Sequence, residues 1–142
     1  MTPQNFSNHK RYHPAYHFFI APLTLTGLTL SGIHLSKVVP ENHYNAALIF
    51  LGFFLILCIG GITRIYALKV QNRIIKAEEN FRHFILTGKP LDARLGMGQI
   101  IALRFASDEE FPTLAAKSIT DSLKPTDIKK MIKNWRADYR RV

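Results

Sequence analysis

The sequence predicts an all-α protein: a transmembrane helical hairpin of two spans, followed by a small cytoplasmic helical subdomain. Two uncharged apolar stretches and a concentration of positive charge behind them carry this reading. Residues 12–36 contain no Asp, Glu, Lys or Arg, and neither do residues 42–63. About 20 apolar residues take a helix through a bilayer core about 30 Å thick. The whole chain of 142 residues holds 19 basic and 10 acidic residues, for a formal charge of +9. All but three of the basic residues and all but one of the acidic ones lie from Arg64 onward. The expected organisation is an N-terminal arm over 1–14, the hairpin over 15–66 and a basic helical tail over 67–142. A single cysteine, Cys58, excludes a disulfide within the chain and a multi-cysteine zinc site.

The first span runs from about Tyr16 to Leu35. It carries Thr24, Thr26, Thr29 and Ser31, whose hydroxyls can donate to carbonyls one turn back and so be tolerated in lipid. Pro22, in its first turns, is expected to kink the span or to mark a short lead-in. The second span, about Tyr44 to Tyr66, contains an apolar block from Ala46 to Ile59 broken only by Gly52. A buried hairpin in a soluble protein is the alternative, but a chain this short cannot easily hide two helices that are apolar all round. A cleaved signal peptide fits poorly, because the first run starts late, is long and lacks a small-residue cleavage site.

Lys10 and Arg11 precede the first span; Arg64, Lys69, Arg73 and Lys76 follow the second, whereas the connecting loop has only Lys37 against Glu41. The positive-inside rule then puts both termini in the cytoplasm. Thr24, Gly27 and Ser31 form a stripe of small residues on the first span, and Gly52 and Gly60 a less regular one on the second. Such stripes let helix backbones approach, within the hairpin or against another protein.

The tail reads as helical throughout. Ala67, Val70, Ile74, Ala77, Phe81 and Phe84 recur at alternating steps of three and four, an apolar stripe along a helix. No Gly or Pro separates Gly61 from Gly88, so the second span should run on into this helix and stop at Thr87-Gly88-Lys89-Pro90. A second tail helix is expected from near Leu95 through Phe105. A third starts from a Ser107–Glu110 capping box or at Pro112, and a last one begins near Pro125, with Ile128, Ile132, Trp135 and Tyr139 on one side. Trp135 and the phenylalanines are the candidate core.

Chemistry is sparse. His13 and His17 are four apart, as metal ligands on a helix are, but lack a nearby Asp, Glu or Cys, and Pro14 lies between them. His17 and His34 stand about 25 Å apart along a helix, too far to share a haem iron. Neither span has an ionisable group at mid-membrane of the sort ion-coupled transport uses. Gly96-x-Gly98 lacks the rest of a phosphate loop. No cofactor is expected and no catalysis.

Two segments carry a family resemblance. Gln4-Asn5-Phe6-Ser7-Asn8-His9-Lys10-Arg11-Tyr12-His13-Pro14, with Tyr16-His17-Phe18 and a hydrophobic hairpin, resembles the opening of a family of small bacterial membrane proteins, domain of unknown function 6526. Leu103-Arg104-Phe105-Ala106-Ser107-Asp108-Glu109-Glu110 and the ending from Ile128 through Asn134-Trp135-Arg136-Ala137-Asp138-Tyr139-Arg140 resemble the same family. The resemblance implies a two-span protein of the bacterial inner membrane and brings no activity with it. It singles out Arg11, Tyr12 and His17 in the arm, and Arg104, Asp108, Glu109, Glu110, Trp135, Arg136 and Arg140 in the tail. The arm is expected to dock on the tail, with Asp108, Glu109 and Glu110 pairing with bases of the arm or the C-terminal end.

The functional expectation is a non-catalytic accessory or scaffolding subunit whose partners are other integral membrane proteins or further copies of itself. One alternative is a membrane-tethered module whose basic tail binds anionic lipid, ribosome or nucleic acid, with nucleic acid the least favoured because no binding motif accompanies the charge. The other is a haem- or metal-carrying subunit using His13, His17 or His34.

Overall fold

A computed structural model describes residues 4–9 and 12–138. Its regular elements are all helical, and among the described residues the one β feature is an isolated antiparallel bridge between Ala106 and Trp135. Residues 12–67 form one compact unit; residues 68–138 with the segment 4–9 form another.

In the first unit a π-helical turn, Ala15–Ile20, leads into α1 (Ala21–Lys37). Pro22 explains the turn: it has no N–H to give, and its ring crowds the carbonyl four residues back, a conflict that a wider turn relieves. The expected lead-in is therefore π-helical. The hydroxyls of α1 are satisfied within it. Thr24, Thr26 and Thr29 each donate from Oγ1 to the carbonyl four residues back, at 2.8, 2.9 and 2.9 Å. Ser31 and Ser36 donate to the carbonyls of Leu28 and Ile33 at 2.9 and 2.8 Å. Val38 and Val39 are extended, as the residue before a proline must be, and a 3-10 turn, Pro40–Asn42, opens α2 (His43–Thr87).

α2 is one helix of 45 residues, more than twice what a bilayer core requires. It ends where the sequence predicts. Gly88 adopts φ +72°, and its N–H donates to the Phe84 carbonyl at 2.8 Å.

In the second unit α3 (Met97–Leu103), α4 (Phe111–Thr120) and α5 (Pro125–Met131) enclose a core of Ile100, Leu103, Phe105, Phe111 and Ile128, joined by Ile75 of α2. Gln99 ties the group together. Its Oε1 accepts from the Gly96 N–H at 2.8 Å, while its Nε2 donates to the carbonyls of Ser118 and Leu123 at 3.1 and 2.9 Å. Gly98 is required by proximity, since a Cβ there would stand 2.9 Å from Cγ of Pro125. The start of α4 follows the Pro112 reading, with the proline in its first turn.

Two expectations are corrected. The last helix stops at Met131, and residues 132–138 are not helical, although Ile128, Ile132 and Trp135 have helical spacing. Tertiary partners outbid the helix for this backbone. The Glu110 carboxylate accepts from the N–H groups of Lys133 and Asn134, both at 3.1 Å. Asn134 accepts from Ser107 N–H at 3.1 Å and Arg136 N–H donates to Phe105 at 2.7 Å. Trp135 thereby reaches the core by lying against the Phe105 ring at 5.2 Å. Tyr139 lies outside the described residues. The second correction concerns the stripe from Ala67 to Phe84. Its members are exposed, and Phe81 and Phe84 are not core; α2 turns Ile75, Glu79 and Arg82 inward instead.

Candidate functional site

The second unit holds a cleft of about 710 Å³ walled by charge: Glu78, Glu79 and Arg82 of α2, Arg104 and Asp108 beyond α3, and Arg136 and Asp138 near the end of the described chain. Phe81, Ile85 and Leu86 supply its apolar edge.

Arg82 organises it. Nε donates to Asp108 Oδ1 at 2.7 Å, Nη1 to Glu79 Oε2 at 2.9 Å and Nη2 to the Ala106 carbonyl at 2.7 Å. The guanidinium carbon also lies 4.5 Å from the centroid of the Phe111 ring. Planar geometry lets one arginine fill all these roles, which a lysine could not. Arg136 approaches the other Glu79 oxygen at 3.9 Å, and Arg104 Nε lies 3.3 Å from Asp138 while its guanidinium stacks 4.7 Å from Phe105. Glu79 and Arg82 are nearly buried. Arg82, Arg104 and Arg136 each face a carboxylate, so the network braces the fold. It presents no activated nucleophile, and no group of three or more His, Cys, Asp or Glu among the described residues could hold a metal.

Segment 4–9 docks on this unit by a route the sequence reading did not foresee. The Gln4 carboxamide pairs with the backbone of Asp138, donating to its carbonyl at 3.3 Å and accepting from its N–H at 2.9 Å. His9 is buried. Its Nδ1 lies 2.7 Å from the Phe6 carbonyl and its Nε2 3.1 Å from Lys129 Nζ, geometry that fits a neutral ring donating from Nδ1 and accepting at Nε2. Its ring also stands 5.8 Å from those of Phe105 and Trp135.

The tail residues singled out by the sequence thus meet, but in other pairings. Asp108 serves Arg82, and Glu110 holds the backbone of 133–134. Glu109 is exposed, its carboxyl held below the ordinary value by the nearby Ser107 side chain and by backbone N–H. Arg104, Arg136 and Trp135 belong to the cleft and the core beneath it. Tyr12 and His17 belong to the first unit, where their rings meet edge-on at 5.3 Å. Arg11 and Arg140 lie outside the described residues. Glu79, Arg82, Gln4 and His9 were missed as a group. Glu79 and Arg82, three apart on a helix, look like an exposed ion pair until the inward face is known.

In the first unit, Gly27 lies under the Phe53 ring, which fills the space a Cβ would take, and Ser31 is buried. Gly32, outside the expected stripe, faces Phe50 at ordinary contact distance. Thr24 is half-buried, and Gly52 and Gly60 have open space where a Cβ would be.

No curated protein and no solved structure matches the chain. The profile of the Family of unknown function (DUF6526) matches residues 1–142. The whole length being matched, the chain belongs to that family.

Proposed function

We propose that the chain is a non-catalytic integral membrane protein of the bacterial inner membrane that acts as an accessory or scaffolding subunit. Residues 16–35 and residues 44–66 of α2 cross the bilayer as a hairpin, and both termini and the tail face the cytoplasm. One observation carries the reading. The most apolar windows of the continuous helical stretches Ala15–Lys37 and Pro40–Thr87 have only 6% of their residues buried, with mean hydropathies of 1.5 and 2.5. Core helices of a water-soluble fold bury such residues, whereas a bilayer solvates them. The internal bonding of every hydroxyl in α1 supports the same solvent, and the basic residues following residue 63 support the orientation. The engagement of Arg82 by two carboxylates, a carbonyl and a ring supports a structural rather than a catalytic use of the cleft.

The decisive experiment is extraction. Membranes from cells producing the full chain are washed with alkaline carbonate. The protein is expected to stay with the membranes until detergent is added, and its release by carbonate alone overturns the reading.

The alternative of a lipid-binding tail is favoured by the exposure of Lys69, Arg73 and Lys76 directly after the second span. Each cation reaching an anionic leaflet contributes about 1 kcal/mol, screened by salt.

A further inference from the structure

We infer that the outward stripe of α2 is the seam of a parallel two-stranded coiled coil with a second copy of this chain. Val70, Ile74, Ala77, Phe81 and Phe84 follow steps of four, three, four and three, the repeat of a helix that meets another helix along its length. All five are exposed, the four large ones by more than half. The tail packs on Ile75, Glu79 and Arg82, across the helix from this seam; Glu78 and Phe81 border the cleft but stay exposed, so the tail's own core leaves the stripe uncovered.

Charge selects the occupant and its direction. With Ile74 and Phe81 at position a, and Val70, Ala77 and Phe84 at position d, Arg73 falls at g and Glu78 at e. In a parallel pair each g residue meets the e residue five positions further along the other helix. Arg73 and Glu78 are five apart and opposite in sign, so two identical chains form two identical Arg73–Glu78 pairs. Both residues are exposed, and neither forms an ion pair among the described residues. An antiparallel pair sets g against g and e against e, and neither set offers an opposite charge. Anionic lipid is a poorer fit because Glu78 flanks the stripe.

The seam is short for a free coiled coil. Anchoring in one membrane, which rests on the function proposed above, compensates: both copies are held side by side in the same orientation, which raises their effective concentration.

The test is cysteine cross-linking of the full chain in native membranes. With Cys58→Ser as background, single cysteines replace Ile74, Ala77, Lys69 or Lys76, and mild oxidation follows. Disulfide dimers of twice 16.2 kDa are expected at 74 and 77, with about tenfold lower yield at 69 and 76, which point away from the seam. Arg73→Glu in the Ala77→Cys chain should cut the yield about threefold, and adding Glu78→Arg should restore it. Uniform or absent cross-linking overturns the inference, as do adducts of another mass and a double variant that fails to recover. Alkaline extraction of the same samples keeps the two readings apart: a released protein that retains the 74/77 pattern loses its membrane assignment and keeps its seam.

Discussion

Residues 12–67 and residues 68–138 solve the same problem in opposite ways. In the first unit the large side chains, Phe18, Phe19, Leu23, Leu30, Phe54 and Ile59 among them, face outward, while the buried positions are the small Ser31 and Ala46. The hydroxyls of Thr24, Thr26, Thr29 and Ser31 donate to carbonyls three or four residues back. In the second unit Phe105, Phe111, Leu103 and Ile128 are fully enclosed, and polar groups find partners far along the chain, as Arg82 does 26 residues away and Gln4 134 residues away. If the first unit sits in the bilayer as proposed, the contrast teaches that each half is organised by its own solvent. Apolar surroundings require that backbone and hydroxyls be satisfied locally and permit apolar side chains outside, whereas water drives the apolar groups in and forces the buried charges to pair.

The comparison breaks most sharply at Arg82. Replacing it with Met strands the Glu79 carboxylate, and loss of one partner from a buried pair costs about 3–5 kcal/mol. The midpoint of denaturation followed by fluorescence of Trp135, the single tryptophan, should fall accordingly. Adding Glu79→Gln should recover part of the loss, and an unchanged midpoint for Arg82→Met would show that the network carries no stability.

Gly27→Leu probes the other half. The Phe53 ring already fills the site, so overpacking of about 1–3 kcal/mol is expected, read as a lower thermal midpoint of helical circular dichroism in detergent. Gly52→Ala, in open space, should leave that midpoint within about 0.5 kcal/mol. Equal effects at the two glycines would remove the close helix approach from the account.

The smallest effect is a pH response in the second unit. Arg94 donates to both Asp92 oxygens and holds that carboxyl at about 2, below its usual 3.8. A lowered carboxyl favours the folded turn above its ordinary value and loses that contribution as pH falls, here between 3.8 and about 2. Carbon-13 titration should place the Asp92 midpoint near the lower figure, and Arg94→Ala should raise it part of the way, since the backbone N–H of residue 94 still donates to the carboxylate. An ordinary midpoint in the unaltered chain would mean the clamp is open.

Much of the helical layout is written locally. Uncharged runs mark α1 and the start of α2, Thr87-Gly88 ends α2, and Pro112 and Pro125 open α4 and α5, because caps and breakers act within a turn of themselves. The cleft was less legible. Arg104, Asp108, Arg136 and Glu110 stand out as charges in a turn and near an end, but their partners depend on which face of α2 turns inward. Periodicity gives the faces of a helix without saying which one is covered, and here the apolar stripe is the uncovered one. Trp135 shows the same limit: helical spacing from Ile128 was overruled by hydrogen bonds to Glu110 and Phe105, more than 20 residues upstream.

The clasp between Gln4 and Asp138 sets an order of events during synthesis. The fourth residue is made before both apolar helices and must wait, through their emergence, for a backbone partner made 134 residues later. The segment around His9 therefore spends that interval without its binding surface, and the clasp closes only once residue 138 is free.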